Sequence, residues 1–445
     1  MTRQLGRSVT AGPEPPDAPP GPEAPKRYRA GTHRVVSPAA TLKSAARFFD
    51  AAGITRVADI TGLDVIGIPV VTVCRPNSRS VVVSLGKGLD VAAAKASGVM
   101  ESIEAFMAER IDQPLLLGSF NDLRSGHSLV DVDRLPRTTE SLYHPDFPIL
   151  WIEGHELFTG MRTWVPYEMV HTAYTLPVPS GTGCFVATSN GLASGNHLLE
   201  AISHAICETV ERDAATLHEL RAPQEKAARR IDPRTVDDPG CGEALERLDR
   251  AGMSVGIWEI TTDIGIPAFR SLIAEGHRGP ALMMDSAEGL GCHPDKGVAL
   301  LRALTEAAQD RLAFISGARD EPAARDHYSQ EREPDLLPGQ AADLDGEPAR
   351  DFTATPTFGS DSSDADVEWE LGRLRSAGVG EVVVVDLTRP KFAIPVVRVI
   401  VPGLEGPVMT VRSCRLGQRA MDLMSTDERG LRFSRPYARG GPRES

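Results

Sequence analysis

The chain has 445 residues, of which 41% are hydrophobic and 24% are charged, and its net charge is -13 at pH 7. This composition is typical of globular proteins, and the length suffices for one large domain or two to three ordinary ones. The acidic balance argues against nucleic-acid binding, which needs a basic surface. There is no apolar run of the ~20 residues needed to cross a bilayer and no apolar stretch of a secretory signal, so the sequence predicts a cytoplasmic protein without a membrane partner.

The six cysteines are scattered along the chain without a C-x-x-C pair: Cys74, Cys184, Cys207, Cys241, Cys292 and Cys414. This spacing argues against a zinc site or a disulfide framework. The sequence therefore predicts free thiols in a reducing compartment.

Composition divides the chain into one domain with irregular additions. Residues 1–32 are rich in proline and predict a disordered extension. Residues 33–436 form the predicted domain, with an irregular surface insertion at about 320–366 that is rich in Asp, Glu, Pro, Gly and Ser. Residues 437–445 are predicted to be a disordered tail.

Both helical and extended patterns occur along this domain. Val-rich runs and a Thr-Gly turn predict strands at Ile68–Cys74, Ser80–Ser84, Leu150–Leu157, Met161–Val165, Glu381–Asp386 and Pro395–Val401, the third and fourth forming a hairpin. Helical periodicity predicts helices at Asp90–Arg110, His197–Leu220, Glu243–Ala251 and Val298–Ser316. The fold class that this order predicts is α+β or mixed α/β.

Two of the predicted helices carry acidic residues on one face. At about 100° per residue, the first places three polar side chains within an arc of roughly 60°: Ser97, Glu101 and Glu104. The second gathers five within roughly 120°: Asn196, Glu200, His204, Glu208 and Glu211. The pattern fits either a solvated outer face or one wall of a charged pocket.

The neighbours of these carboxylates favour the pocket. A solvated acidic face normally carries Lys or Arg four residues away, whereas Glu101 has Ser97 and Ala105 at those positions. Uncompensated carboxylates repel each other unless a cation lies among them. Because Mg2+ is commonly bound by one or two carboxylates together with substrate phosphates, two such helices facing each other could hold a Mg-bound triphosphate.

The common nucleotide and hydrolase motifs are absent from the chain. Leu85-Gly86-Lys87-Gly88 lacks the upstream glycine and the hydroxyl residue of a phosphate-binding loop, and no G-x-G-x-x-G, G-x-S-x-G or H-E-x-x-H occurs. An ATP site in this chain would therefore be of an unusual, glutamate-rich kind.

Seven segments, taken in order, resemble the YcaO family. They are Gly86–Gly88, Ala96–Glu104, Ser189–Asn196, Cys207–Asp213, Leu304–Arg311, Gly317–Asp320 and Pro395–Glu405. The resemblance covers about residues 34–405, and the ordered combination is far more specific than any one segment. It implies a mixed α/β fold with mixed sheets and packed helices, and ATP bound between helices and sheet through several Mg2+ ions.

The resemblance also implies site residues. The glutamates that match the family's metal-triphosphate ligands are Glu101, Glu104, Glu208 and Glu211. The residues that match its nucleotide contacts are Arg34, Thr41, Ser97, Asn196, Glu200 and Arg212. For Arg34 and Thr41, an ordinary surface arginine and a helix-start threonine are the alternative interpretation.

The chemistry that the resemblance implies is ATP-dependent activation of a peptide backbone amide. The amide oxygen attacks ATP and becomes a phosphorylated leaving group, which a nucleophile then displaces from the amide carbon. A neighbouring Cys, Ser or Thr side chain gives an azoline, and external sulfide gives a thioamide. Positioning and charge neutralisation carry such phosphoryl transfer, and the sequence identifies no general base.

The end of the chain favours one branch of the family. Azoline-forming members often end in a P-x-P-x-P tail, whereas this chain ends Pro442-Arg443-Glu444-Ser445. We therefore expect thioamide formation on a ribosomally made precursor peptide with a TfuA-like partner protein. The alternatives are an azoline-forming cyclodehydratase and a catalytically silent scaffold that binds a leader peptide or partner. No leader-binding winged helix is apparent, so a separate leader-binding protein is expected, and a homodimer is left open.

Three further polar residues near these segments have open roles. Gln309 and Arg311 fit a site role and a structural role on a core helix equally well. His293 fits a loop or cap residue better than a ligand.

Overall fold

The structure is a computed structural model that describes residues 24–275, 286–318, 344, 346–406 and 414–427. Within these ranges the chain forms ten helices: α1 (Pro38–Ala46), α2 (Phe49–Ala52), α3 (Val91–Ala108), α4 (Phe120–Leu123), α5 (Leu198–Glu219), α6 (Pro223–Ala227), α7 (Pro239–Arg250), α8 (Lys296–Ser316), α9 (Ser363–Ser376) and α10 (Gln418–Asp427).

The strands of the described ranges form three sheets. In chain order they are β1 (Arg56–Asp59), β2 (Val70–Cys74), β3 (Val83–Lys87), β4 (Leu115–Gly118), β5 (Ile149–Glu156), β6 (Arg162–Pro166), β7 (Leu192–Ser194), β8 (Met253–Glu259), β9 (Ala268–Glu275), β10 (Ala287–Cys292), β11 (Val383–Asp386) and β12 (Val396–Ile400). The sheet orders are β1-β2-β3, β10-β9-β8 and β4-β5-β11-β12-β7, with β6 paired to β5. Each of these strand pairs is antiparallel. The predicted mixed α/β class is confirmed.

The long helix α3 lies directly against β3. Asp90 caps its first turn, with the side chain accepting the N–H of Ala93 at 2.7 Å. A Cβ on Gly86 would lie 2.2 Å from the backbone nitrogen of Gly98, so glycine is required where strand and helix approach each other. This approach fixes the polar face of α3 relative to the sheet.

Helix α5 packs its apolar face into a core that it shares with β12. Ile202, Ile206 and Val210 are buried there together with Val397 and Val399. Because these apolar residues recur at intervals of three and four, the acidic residues of α5 are turned to the opposite side. The core thus decides which way the carboxylates point.

All four predicted helices are confirmed, with shifts at their ends. The largest shift is in α7, which begins at Pro239 because Asp238 caps it and proline suits the first helical position. The hairpin and the strands at β2, β11 and β12 are also confirmed. The strand predicted from Ser80 begins at Val83 instead, because the hydroxyls of Ser78 and Ser80 donate to Glu109 at 2.6 and 2.5 Å.

The prediction of disorder for residues 24–32 was wrong. Lys26 forms a buried ion pair with Asp366 at 2.5 Å, and Ser363 donates its N–H to the carbonyl of Ala24 at 2.9 Å. The insertion predicted at 320–366 likewise packs onto the domain where it is described, with Phe352 fully buried and α9 beginning at Ser363. The partners lie hundreds of residues apart in the sequence, so composition could not reveal them. Residues 1–23, 319–343 and the tail at 437–445 lie outside the described residues.

All six cysteines are free thiols, as predicted. Within the described ranges, no helix is long and apolar enough to cross a membrane.

Candidate functional site

A cavity of about 1160 Å³ opens between α3, α5, α8 and β3. All ten residues that the sequence singled out line it: Arg34, Thr41, Ser97, Glu101, Glu104, Asn196, Glu200, Glu208, Glu211 and Arg212. The acidic faces of α3 and α5 therefore border one shared space, as the facing-helix hypothesis requires. The cavity exceeds the usual range of about 300–1,000 Å³ for pockets that hold one small ligand.

One end of the cavity is a hydrogen-bonded network centred on Glu200, near the N-terminus of α5. Its carboxylate accepts hydrogen bonds from Nη1 of Arg34 at 3.1 Å, from the N–H of Val35 at 3.0 Å and from Nδ2 of Asn196 at 3.2 Å. The hydroxyl of Thr41 donates to Oδ1 of Asn196 at 3.0 Å. Four predicted nucleotide contacts are thus joined to each other, and we name Arg34, Thr41, Asn196 and Glu200 the Glu200 network.

The middle of the cavity holds buried carboxylates. Glu104 on α3 accepts the backbone N–H of Ser194 at 2.8 Å and its hydroxyl at 2.6 Å. Burial raises the pKa of Glu104 to about 8, and the nearby charges of Glu101 and Glu208 add to that rise. The two helices therefore influence each other electrostatically across the cavity.

Two further carboxyl groups come from α5: Glu208 is half-buried and Glu211 is buried. Burial raises the pKa of Glu208 to about 7, although the charge of Arg212 opposes the rise. Burial also raises the pKa of Glu211, whose Oε2 has no hydrogen-bond partner in the described structure. Its Oε1 lies 3.5 Å from Nη2 of Arg212. We name Glu104, Glu208 and Glu211 the carboxylate cluster.

The carboxylate cluster fits a cation bound together with phosphate. Each raised pKa means that the buried site disfavours a bare negative charge, and a cation between the carboxylates would reverse that penalty. No three Asp, Glu, His or Cys side chains of the described residues are placed to ligate one ion. A Mg2+ ion here would bind carboxylates of the cluster together with phosphate oxygens and water, which is its usual coordination in proteins.

Helix α8 supplies two cavity residues that sequence reasoning missed, Arg302 and Glu306, beside Gln309, whose site role the sequence left open. Arg302, Glu306 and Gln309, spaced i, i+4 and i+7, all line the cavity, and Glu306 forms an ion pair with Lys87 of β3. Burial alone would raise the pKa of Glu306, but the charges of Lys87 and Arg212 outweigh it and lower the pKa. The helical spacing that revealed α3 and α5 was present here too, but the mixed charges hid it.

The open roles near α8 are resolved by position. Gln309 faces the cavity, whereas Arg311 points into the protein and donates to Glu275 at 2.7 Å. His293 accepts the N–H of Asp295 at 2.9 Å through Nδ1, so it is a loop residue at the start of α8, as predicted.

A buried arginine stands behind the carboxylate cluster. Arg398 of β12 is 1% exposed, and its Nη2 donates to the carbonyl of Thr188 at 2.7 Å. Burial lowers its pKa to about 10, against the opposing charge of Glu208. The guanidinium remains charged at neutral pH and favours an ionised Glu208.

Sequence relatives align with most of the chain. The family model that matches residues 85–405 is described as YcaO cyclodehydratase, ATP and Mg2+ binding. An uncharacterized protein in the tfuA 3′ region of Rhizobium leguminosarum bv. trifolii is 36% identical over 414 residues, covering 89% of this chain and 95% of that protein. An uncharacterized protein of Methanothermobacter thermautotrophicus is 34% identical, covering 87% of this chain and 98% of its own length.

Solved structures share the fold. YcaO from Methanopyrus kandleri, bound with AMPPCP and Mg2+, aligns with a TM-score of 0.69 at 22% identity over 89% of this chain and 98% of that chain. A heterocyclase in complex with substrate and cofactor aligns with the same TM-score at 21% identity, and this chain spans 55% of its length. The sequence match over residues 85–405 and the glutamate-lined cavity agree: this chain belongs to the YcaO family of ATP- and Mg2+-binding enzymes.

Proposed function

We propose that this chain uses Mg-ATP to phosphorylate the oxygen of a peptide backbone amide, and that the product is a thioamide in a ribosomally made precursor peptide. The observation that carries the proposal is the carboxylate cluster, in which three half-buried or buried carboxyl groups with raised pKa values border one cavity with Arg212. Such a site favours cations held together with phosphates.

The residues of the cavity have separable tasks in this proposal. Glu101, Glu104, Glu208 and Glu211 would hold Mg2+, which supplies positive charge to the phosphates. Arg212 adds a fixed positive charge beside them. The Glu200 network and Ser97 bind and orient the nucleotide, which brings the terminal phosphate within reach of the amide oxygen.

The reaction balances without a redox partner. The amide oxygen forms a bond to the terminal phosphorus while the bond to ADP breaks. Hydrosulfide then adds to the amide carbon, the carbon–oxygen bond to phosphate breaks, and the proton brought by sulfur is released. The sum is amide plus ATP plus hydrosulfide giving thioamide plus ADP plus phosphate.

The tfuA-region relative supports the thioamide branch. Its 36% identity extends over 95% of its length, and its name places it in the tfuA 3′ region. We therefore expect a TfuA-like protein to deliver sulfide and a separate protein to bind the leader peptide. The cyclodehydratase alternative rests on the family description and on the heterocyclase neighbour. The scaffold alternative is disfavoured by the cost of keeping buried carboxylates that bind nothing.

Peptide mass distinguishes the products. Candidate precursor peptides are incubated with the purified chain, a TfuA-like protein, ATP, Mg2+ and sulfide. We expect a gain of about 16 Da, which is oxygen replaced by sulfur, whereas a loss of about 18 Da would establish cyclodehydration instead, and both follow from displacement of the activated oxygen.

Nucleotide binding tests the site itself. We expect calorimetry to show Mg-dependent binding of a non-hydrolysable ATP analogue, lost in Glu101→Gln and Glu208→Gln. Glu219→Gln is the matched control, because Glu219 is an exposed residue at the far end of α5 that pairs with Lys226 at 3.0 Å. Absence of Mg-dependent binding in the wild-type chain would establish the scaffold alternative.

A further inference from the structure

Three edge strands border the cavity, and two of them have their outward N–H groups capped by carboxylates. On β10, Glu288 donates its N–H to Asp310 at 3.1 Å and Leu290 donates to Glu306 at 3.3 Å. On β7, Ser194 donates to Glu104 at 2.8 Å. Capping of this kind prevents another strand from pairing with the edge.

The third edge strand, β3, is different. At its two ends, the backbone N–H of Arg75 donates to the carbonyl of Val82 at 2.8 Å, and the N–H of Gly88 donates to the carbonyl of Pro69 at 3.3 Å. With the register of the pair, these two bonds show that the even-numbered residues of β3 are the ones hydrogen-bonded to β2. In an antiparallel pair the alternate residues direct their N–H and C=O groups to the other side. Val83 and Leu85 therefore present these groups at the free edge, and no hydrogen bond from the described residues satisfies them.

The free edge of β3 leads from the surface into the cavity. Val81 and Val82, just before the strand, are 46% and 47% exposed, and Val81, Ser84 and Leu85 line the cavity. Tyr174, 49% exposed, also lines the cavity and donates its N–H to the carbonyl of Arg79 at 2.8 Å. Solvent-exposed residues at this edge thus line the same cavity as Glu101 and Glu104.

We propose that the free edge of β3 binds the substrate peptide as an added antiparallel or parallel strand. The inference rests on the proposed function, in which the reacting group is a backbone amide. Strand addition recognises a peptide through its backbone, so it presents amides to the site with little dependence on side chains. The cavity volume of about 1160 Å³ leaves room for a peptide segment beside a nucleotide.

The substrate class that follows is an extended peptide segment. Its carbonyl oxygens alternate between accepting a hydrogen bond from β3 and facing away, so every second amide oxygen is free for phosphorylation. Val81 and Tyr174, which are exposed and line the cavity, would contact apolar side chains that flank the modified amide.

The decisive variant is Val83→Pro. Proline removes the outward N–H of Val83 and no bond to β2, and proline is tolerated on edge strands for that reason. Val83→Ala is the matched control, because it shortens the same side chain and keeps the N–H. The probes are dodecapeptides selected by display from a random library against the wild-type chain saturated with Mg2+ and a non-hydrolysable ATP analogue.

We expect the selected peptides to bind the wild-type chain and Val83→Ala with the same affinity. They should bind Val83→Pro about tenfold more weakly, because that variant loses one backbone hydrogen bond to the peptide. N-methylation of alternate amides in the same peptides should weaken binding to the wild-type chain, with the intervening amides insensitive. This scan decides the question even where Val83→Pro fails to fold.

Unchanged binding to a folded Val83→Pro, insensitivity to N-methylation, or no enrichment of any peptide would each overturn strand addition. Binding of the ATP analogue is measured in the same samples. Intact Mg-dependent nucleotide binding with insensitive peptides removes only the β3 inference, whereas its absence from the wild-type chain removes the proposed function.

Discussion

The Glu200 network and the carboxylate cluster line the same cavity but place their carboxylates in opposite electrostatic environments. In the Glu200 network, one carboxylate accepts hydrogen bonds from Arg34, from the N–H of Val35 and from Asn196. In the carboxylate cluster, Oε2 of Glu211 has no partner among the described residues, and burial raises the pKa of Glu208 to about 7.

This difference separates a prebuilt binding surface from a site that needs its ligand. The Glu200 network contributes to stability by itself, because a charged group with several donors is compensated inside the protein. The carboxylate cluster destabilises the ligand-free fold, because its charges are desolvated without full compensation. Cations bound with the nucleotide would supply the compensating positive charge that the protein does not provide.

Glu200→Ala should have the largest effect on stability. It leaves Arg34 and the amides of Val35 and Asn196 without their acceptor, and we expect a loss of about 3 kcal/mol in the free energy of unfolding. Urea denaturation measures this. Glu219→Ala, which removes only an exposed ion pair, should change the value by less than about 0.5 kcal/mol. Equal losses in the two variants would contradict the comparison.

Glu211→Gln should affect binding and stability in opposite directions. We expect the affinity for a Mg-bound ATP analogue to fall about 100-fold, because a metal ligand loses its charge. The free energy of unfolding of the ligand-free chain should stay the same or rise, because the change removes a buried charge that the 3.5 Å ion pair with Arg212 compensates only in part. Calorimetry and urea denaturation on one preparation give both values. A variant that loses stability and affinity together would show that Glu211 is structural.

The pKa values of the carboxylate cluster predict tighter nucleotide binding at higher pH. Glu104 and Glu208, with pKa values of about 8 and about 7, hold protons at pH 6 that Mg2+ must displace. We expect the affinity to rise by more than about 100-fold between pH 6 and pH 8 and to level off only above about pH 9, past the higher of the two pKa values. Calorimetry in buffers of different ionisation enthalpy counts the released protons. Glu208→Gln should flatten the profile, and an unchanged slope would contradict the assignment.

The raised pKa values also determine whether the ligand-free chain gains or loses stability as the pH rises. A carboxyl whose pKa is raised by folding holds its proton longer in the folded state than in the unfolded one. Its contribution to stability is therefore complete at pH values below the ordinary value of 4.5 and is lost as the pH rises to about 8. We expect thermal unfolding without Mg2+ to shift downward over that range.

Thr41→Val should give the smallest effect. It removes the hydrogen bond of 3.0 Å to Asn196 at nearly constant volume, so we expect a loss of about 1 kcal/mol in the free energy of unfolding. Thr55→Val, which removes an exposed hydrogen bond to Cys74, is the control and should be close to neutral. If Thr41→Val leaves the free energy of unfolding unchanged, Thr41 contributes nothing to the stability of the Glu200 network.

The sequence predicted the elements that depend on local periodicity. Helices α3, α5 and α8 appear within two residues of the predicted ends, because their apolar residues recur at intervals of three and four. The acidic faces of α3 and α5 were visible for the same reason. The packing of residues 24–32 was not predicted, because Lys26 forms its ion pair with Asp366, which lies 340 residues further along the chain. The proline-rich composition of the segment gives no sign of this long-range contact.

By itself, the sequence determined which carboxylates share a helix face, and its family resemblance predicted that they bind a Mg-bound nucleotide. Only the tertiary structure decided which of these carboxylates have hydrogen-bond donors or cationic partners that compensate their charge. Glu104 meets Ser194 at a separation of 90 residues, and Arg34 meets Glu200 at a separation of 166. It also decided that the edge of β3 remains open while those of β7 and β10 are capped. Helical periodicity is encoded within a few neighbouring residues, whereas hydrogen-bond compensation depends on groups that only the packed core brings together.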